Sequence, residues 1–143
     1  MKIDEGIWRM IGDQLSLSPE ELAALKENPR YQRLVARTPK LLETAVVAEV
    51  VSSHACFSGH TVGDRLVFDG FGNLIRDRSP EKVCIYALNA VTPLVFAVFE
   101  LIYADKDPND MLFNTAGCFD VGVACGGVGN IKLRISTEKM HSA

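Results

Sequence analysis

No two cysteines in this chain stand two residues apart, no run of lysine and arginine breaks the even spread of charge, and no apolar leader follows the first methionine. Each absence removes a class of protein. Without Cys-x2-Cys knuckles there is no zinc-ribbon signature. Without a basic patch, and with a formal net charge of -3, there is no electrostatic footprint for nucleic acid or for an anionic membrane surface. The opening MKIDEGIWRMIGDQ carries Asp4 and Glu5 where a secretory signal would be apolar, which predicts a cytoplasmic chain. Four cysteines, Cys56, Cys84, Cys118 and Cys125, then read as free thiols or thiolates in a reducing compartment and not as two disulfides. Internal repeats and low-complexity stretches are also absent from the sequence.

What is present is ordinary globular material. Hydrophobic residues make up 48% and charged residues 23%, a balance that excludes disorder and fibrous repeats. A chain of 143 residues suffices for one core, so a single compact domain is expected, with residues 1–39 as an N-terminal helical arm and residues 40–143 as an α+β core module.

Three helices are predicted in the arm. One runs around Ile7 to Leu15 and carries Trp8 and Ile11. The second opens at Ser18-Pro19-Glu20-Glu21, a capping box with proline at the first helical position. The third extends from Arg30 to about Arg37, with Tyr31, Leu34 and Val35 at helical spacing, and Thr38-Pro39 should stop it.

After Pro39 the character changes. The β-branched run 45–51 (AVVAEVV) predicts a buried strand, and 64–69 (DRLVFD) a second, turning through DGFGN into Leu74-Ile75 as a hairpin. Ser79-Pro80 repeats the helix-start chemistry and opens a long apolar helix to about Tyr103, which Pro93 should kink or split. Residues 83–99 of that helix carry no charge and approach the length of a membrane span, but Asn89, Thr92 and Pro93 interrupt them, so a buried core helix is the reading. A short strand at 111–114, a glycine-rich loop at 117–129 and an alternating strand with Ile131, Leu133 and Ile135 on one face complete the order. The fold class is α+β: an antiparallel sheet or partly open barrel packed on one long hydrophobic helix, with the helical arm outside.

The chemistry-bearing residues leave three readings open. His54, Cys56 and His60 lie within seven positions in SHACFSGHTVGD, and Cys56, His60, Cys84 and Cys118 would make a tetrahedral Cys3His site if the fold brings them together, with zinc as first choice and iron second. Alternatively Cys56 or Cys118 is a nucleophilic thiolate assisted by His60, with Asp120 or Asp64 orienting the imidazole. The plainest reading makes Cys84 a core residue, Cys125 a small residue in a tight loop, and Gly59-His60 part of a turn into Gly63-Asp64. The stretch GVACGGVGN, residues 122–130, lacks the Lys-Ser/Thr ending of a phosphate loop and precedes a strand, so its glycines are read as permitting close backbone approach.

The pattern Cys56-x-x-Gly59-His60-x-x-Gly63-Asp64, a lone Cys84 at a helix start and Cys118-x-Asp120 before the last strand resembles an uncharacterised family of small bacterial and archaeal proteins, over about residues 45–136. The resemblance implies that Cys56, His60, Cys84, Cys118 and Asp120 belong together. His54 and Cys125 fall outside the pattern. The expectation that follows is a metal-binding accessory or subunit protein that forms a homo-oligomer or docks a protein partner through its arm. The competing expectation is a small thiol-dependent lyase, isomerase or hydrolase acting on an organic acid.

Overall fold

The computed structural model describes residues 2–141. The chain divides into two compact units, Met1–Pro39 and Lys40–Ala143.

In the first unit, α1 (Glu5–Leu15) starts at Asp4, whose carboxylate accepts the Gly6 amide at 2.7 Å, and ends at Ser16 in the left-handed region. Helix α2 (Pro19–Glu27) has the predicted capping box, with the Glu21 amide donating to Ser18 Oγ at 3.1 Å and the Ser18 amide to Glu21 Oε2 at 2.7 Å. Both bonds satisfy amides that a helix start otherwise leaves open. Helix α3 (Pro29–Leu42) does not stop at Thr38-Pro39 as expected. Pro39 leaves the Val35 carbonyl without its helical donor, and one residue earlier the Thr38 hydroxyl donates to the Leu34 carbonyl at 3.1 Å.

The second unit is a four-stranded antiparallel open sheet with one long helix on its face. Strands β1 (Thr44–His54), β2 (Arg65–Phe68), β3 (Thr115–Gly117) and β4 (Asn130–Lys139) lie in the order β2-β1-β4-β3. The inner pair, β1 and β4, runs in register from Thr44 opposite Lys139 to His54 opposite Asn130, with one irregularity between Val50 and Ser52. Helix α4 (Ile85–Tyr103) buries Ala87, Val91, Val95, Val98 and Ile102, a stripe at three- and four-residue spacing, in one core with Val46, Ala48, Val50, Leu66, Phe68, Ile131, Leu133 and Ile135. The opposite face of the sheet buries Ala45, Val47 and Val67 beneath Ile75 and Met140. That two-sided cover is why the sequence of β1 is β-branched without alternation. Arg78, in the 3-10 turn after Ile75, pairs with Glu138, which Arg65 also contacts at 2.6 Å.

Four expectations need correction in detail. The reversal at DGFGN leads to a single antiparallel bridge between Phe68 and Leu74, not a full second strand, because Asp69 folds the turn onto itself by accepting the amides of Phe71 and Asn73 at 2.9 Å. Ser79 does not cap the long helix. Its hydroxyl accepts the Val67 amide of β2 at 3.0 Å, and the helix begins six residues later, after Cys84. The helix is also not split at Pro93; the proline and Asn89, whose carbonyl loses its helical partner, are both exposed. The short strand lies at Thr115–Gly117, just beyond its expected place.

Helix α4 is long and apolar enough to cross a membrane by length and composition, and here it packs one stripe along the sheet. Leu133 is fully buried in that contact. Leu133→Ala is expected to lower unfolding free energy by about 2–5 kcal/mol in urea titration, and a loss within error would contradict the packing described.

Candidate functional site

The loop after β1 returns to the strand it left. Ala55 turns the chain at φ 48°, Gly63 adopts φ +96°, and the Gly63 amide then donates to the Val50 carbonyl while the Val50 amide donates to the Asp64 carbonyl, both at 2.9 Å. A side chain at Gly63 would be strained in that conformation. The Asp64 carboxylate accepts the Thr61 amide at 3.0 Å, and the Ser53 hydroxyl donates to the His60 carbonyl at 2.7 Å. The loop so held delivers His60 to the interior, where it is 4% exposed and the one buried polar residue among those described.

Both ring nitrogens of His60 are engaged. Nε2 accepts the Cys84 amide at 3.3 Å, which places the imidazole proton on Nδ1, 3.5 Å from Asp64 Oδ2. His60 thus ties the loop to the first residue before α4. Satisfying both nitrogens is what allows an imidazole to be buried.

Cys84 stands where a capping serine or aspartate would stand, and no side-chain hydrogen bond of regular geometry caps the helix. Partial burial pushes its thiol up, but hydrogen bonding from the Ser58 hydroxyl and from the amides of Ala87 and Tyr86 outweighs this, and its pKa lies below the ordinary thiol value. A thiolate is favoured there by the same open amides and helix dipole that favour any anion at a helix start. The Cys118 sulfur accepts the Ile131 amide at 3.4 Å and the Asn130 side-chain amide at 3.7 Å. Asp120 closes the glycine loop: its carboxylate accepts the amides of Gly122 and Val128 at 2.9 Å and Gly129 at 3.0 Å, which holds it below the usual carboxylate range. Its main-chain carbonyl receives the Asn130 side chain.

Cys56, His60, Cys84, Cys118 and Asp120 all line one cavity of about 480 Å³. Three loops far apart in sequence meet there, with Phe57, Tyr86 and Phe119 around them. The rings of Tyr86 and Phe119 stack at 5.6 Å between centroids. Among the lining residues there is no lysine or arginine, so no cation stands ready for a carboxylate substrate. His54 and the exposed Cys125 are not part of the lining. Among the described residues no three of His, Cys, Asp and Glu are arranged as a group that could hold a metal ion.

Of the candidates read from sequence, all five named in the motif pattern share the cavity, but the Asp120 carboxylate is spent on backbone amides and His60 on the Cys84 amide and the Asp64 carboxylate. Ser58, Asn130 and the Ile131 amide act on the sulfurs and carry no sequence signal of their own. Cys84 does stand at a helix start, as the motif pattern had it, whereas the start read at Ser79-Pro80 is not one. Gly129 bears out the close-approach reading of the glycine loop, since a Cβ on it would overlap the carbonyls of His54 and Ala55.

Comparison with protein-family models, with curated proteins and with solved structures finds no match. The site is therefore read from its own geometry.

Two outcomes are expected. Gly129→Ala should cost about 2 kcal/mol or more in urea unfolding, whereas Gly117→Ala, with nothing within 4 Å of its added Cβ, should stay within about 0.5 kcal/mol; equal effects would contradict the close approach. Cys84, identified by mass spectrometry, should alkylate with a pH midpoint below the ordinary thiol value of about 8.5, and Ser58→Ala should move that midpoint up. Because the folded pKa is depressed, the thiolate adds stability above the ordinary value, and this contribution is lost as the pH falls through the lowered one. A midpoint at or above the ordinary value that Ser58→Ala leaves unchanged would contradict the assignment.

Proposed function

We propose that the cavity is a thiolate metal centre in which Cys56, Cys84 and Cys118 hold zinc or iron, in a cytoplasmic accessory or subunit protein. The observation that carries this reading is the meeting of three cysteines, from positions 56, 84 and 118, in one cavity. The donor set fits the metals: soft thiolates suit zinc and iron, and three protein ligands leave one position for an exogenous group. The sulfur environment supports it too, since Cys118 receives two N–H donors and Cys84 faces open helix amides, contacts that orient and stabilise ligating thiolates. Among the described residues no three donors stand ready around one point, so an ion would require the three sulfurs to turn toward it about their single side-chain torsions.

His60 is assigned a bracing role in this reading. Its Nε2 already accepts the Cys84 amide, and coordination through that atom would leave a part-buried N–H without this partner. When bound, the metal would supply Lewis acidity or electron transfer according to its identity.

A second reading has its own support: the Cys84 thiol lies below the ordinary value beside the Ser58 hydroxyl and the helix amides, which favours Cys84 as the nucleophile, where the sequence had offered Cys56 or Cys118. Elemental analysis of tag-free protein purified without chelator separates the two. About one zinc or iron per chain, with the three cavity thiols shielded from a thiol reagent until chelator is added, is the expected result. Negligible metal, no uptake on addition of either ion and rapid labelling of Cys84 alone would reject the metal centre in favour of the nucleophile.

A further inference from the structure

The stretches that converge on the cavity share a property that the metal reading does not use. Residues 50–63, 83–99, 111–119 and 121–131 contain no lysine, arginine, aspartate or glutamate, in a chain where 23% of residues are charged. The one acid between them, Asp120, has its carboxylate folded onto three backbone amides. Around the mouth, large apolar side chains stand outward. Phe57 is 87% exposed and Phe119 77%, while Ile85, Tyr86 and Val121 are more than half exposed. Phe57, Tyr86, Phe119 and Val121 belong to the cavity wall, and Ile85 adjoins Tyr86 at the start of α4.

We propose that this rim is an isologous interface with a second copy of the chain, which closes the cavity between two protomers. Two arguments favour a second copy. Around a two-fold axis a patch meets its own neighbourhood, so any charge it carries faces the same sign. Apart from the Asp120 carboxylate, which is held by three backbone amides, this rim carries none, so on a chain of net charge -3 self-association there meets little repulsion. Its size also fits: a large aromatic presents roughly 150–250 Å², so these side chains with Val128 offer on the order of 700 Å², against roughly 800 Å² buried by each partner of a standard stable interface. Interface cores are enriched in aromatics and depleted of charge in the same way. The inference stands on the rim alone and holds whether or not the cavity takes a metal.

Sedimentation equilibrium of the full chain tests it at about 100 µM, above the micromolar limit common for interfaces of this size. The expected species has twice the chain mass of 15.7 kDa. The double variant Phe57→Asp/Phe119→Asp should weaken the dimer at least about 100-fold by setting like charges against each other. It should lower the thermal unfolding midpoint of the monomer only slightly, because both side chains are exposed and Phe119 gives up its stack on Tyr86. Val121→Lys should weaken the dimer independently. A wild-type monomer at that concentration overturns the proposal and leaves the rim to a different protein or to a small apolar ligand. A dimer that survives all three substitutions overturns it as well, by placing the interface elsewhere. Metal content measured on the same samples distinguishes this failure from that of the metal centre: dimer without metal rejects only the latter.

Discussion

A buried imidazole holds the second unit's functional end together. His60 Nε2 takes the amide of Cys84, and its other nitrogen faces Asp64, so the loop that follows β1 is fixed to the start of α4. The consequence for chemistry is direct. Cys56 travels with that loop, Cys84 is the residue whose amide is held, and both side chains, which also pack against the core, are brought to the same cavity. A buried imidazole with an unsatisfied nitrogen would carry the desolvation penalty of that group, about 1–3 kcal/mol, so the brace is also a condition for the loop to fold as it does.

The third cysteine arrives by a different route. Strand β4 pairs with β1 along its length, and its first residue, Asn130, lies opposite His54, at the point where the His60 loop departs. Gly129 passes against the His54 and Ala55 backbone, and Asp120 gathers the loop amides behind it. Cys118 is thereby set beside Ile131 and Asn130, both of which donate to its sulfur. The sheet register thus determines which thiols can meet.

Much of this was legible in the residues. The alternation of Ile131, Leu133 and Ile135 marks one buried face, the unbroken 45–51 run marks burial on two, and the capping box of α2 is read directly from Ser18 and Glu21. The grouping of Cys56, His60, Cys84, Cys118 and Asp120 also matches one shared cavity. What the residues could not display was long-range: that Ser79 serves β2 instead of α4, that Asp120 bonds amides eight and nine residues onward, and that His60 meets a backbone amide twenty-four residues away. Local propensity cannot encode these partners, because a hydroxyl, carboxylate or imidazole accepts any amide that the fold presents. The helix start at Ser79-Pro80 failed for the same reason, with a tertiary hydrogen bond overriding a sound local pattern.

The most direct test of the central claim, that Cys56, Cys84 and Cys118 act as one centre, is titration with cobalt(II) followed by its sulfur-to-metal charge-transfer absorbance. The account predicts saturation at one ion per chain, a band reduced by about one third in each of Cys56→Ser, Cys84→Ser and Cys118→Ser, and a band unchanged in Cys125→Ser. No charge-transfer band, or a band that depends on Cys125 and ignores the other three, would contradict it.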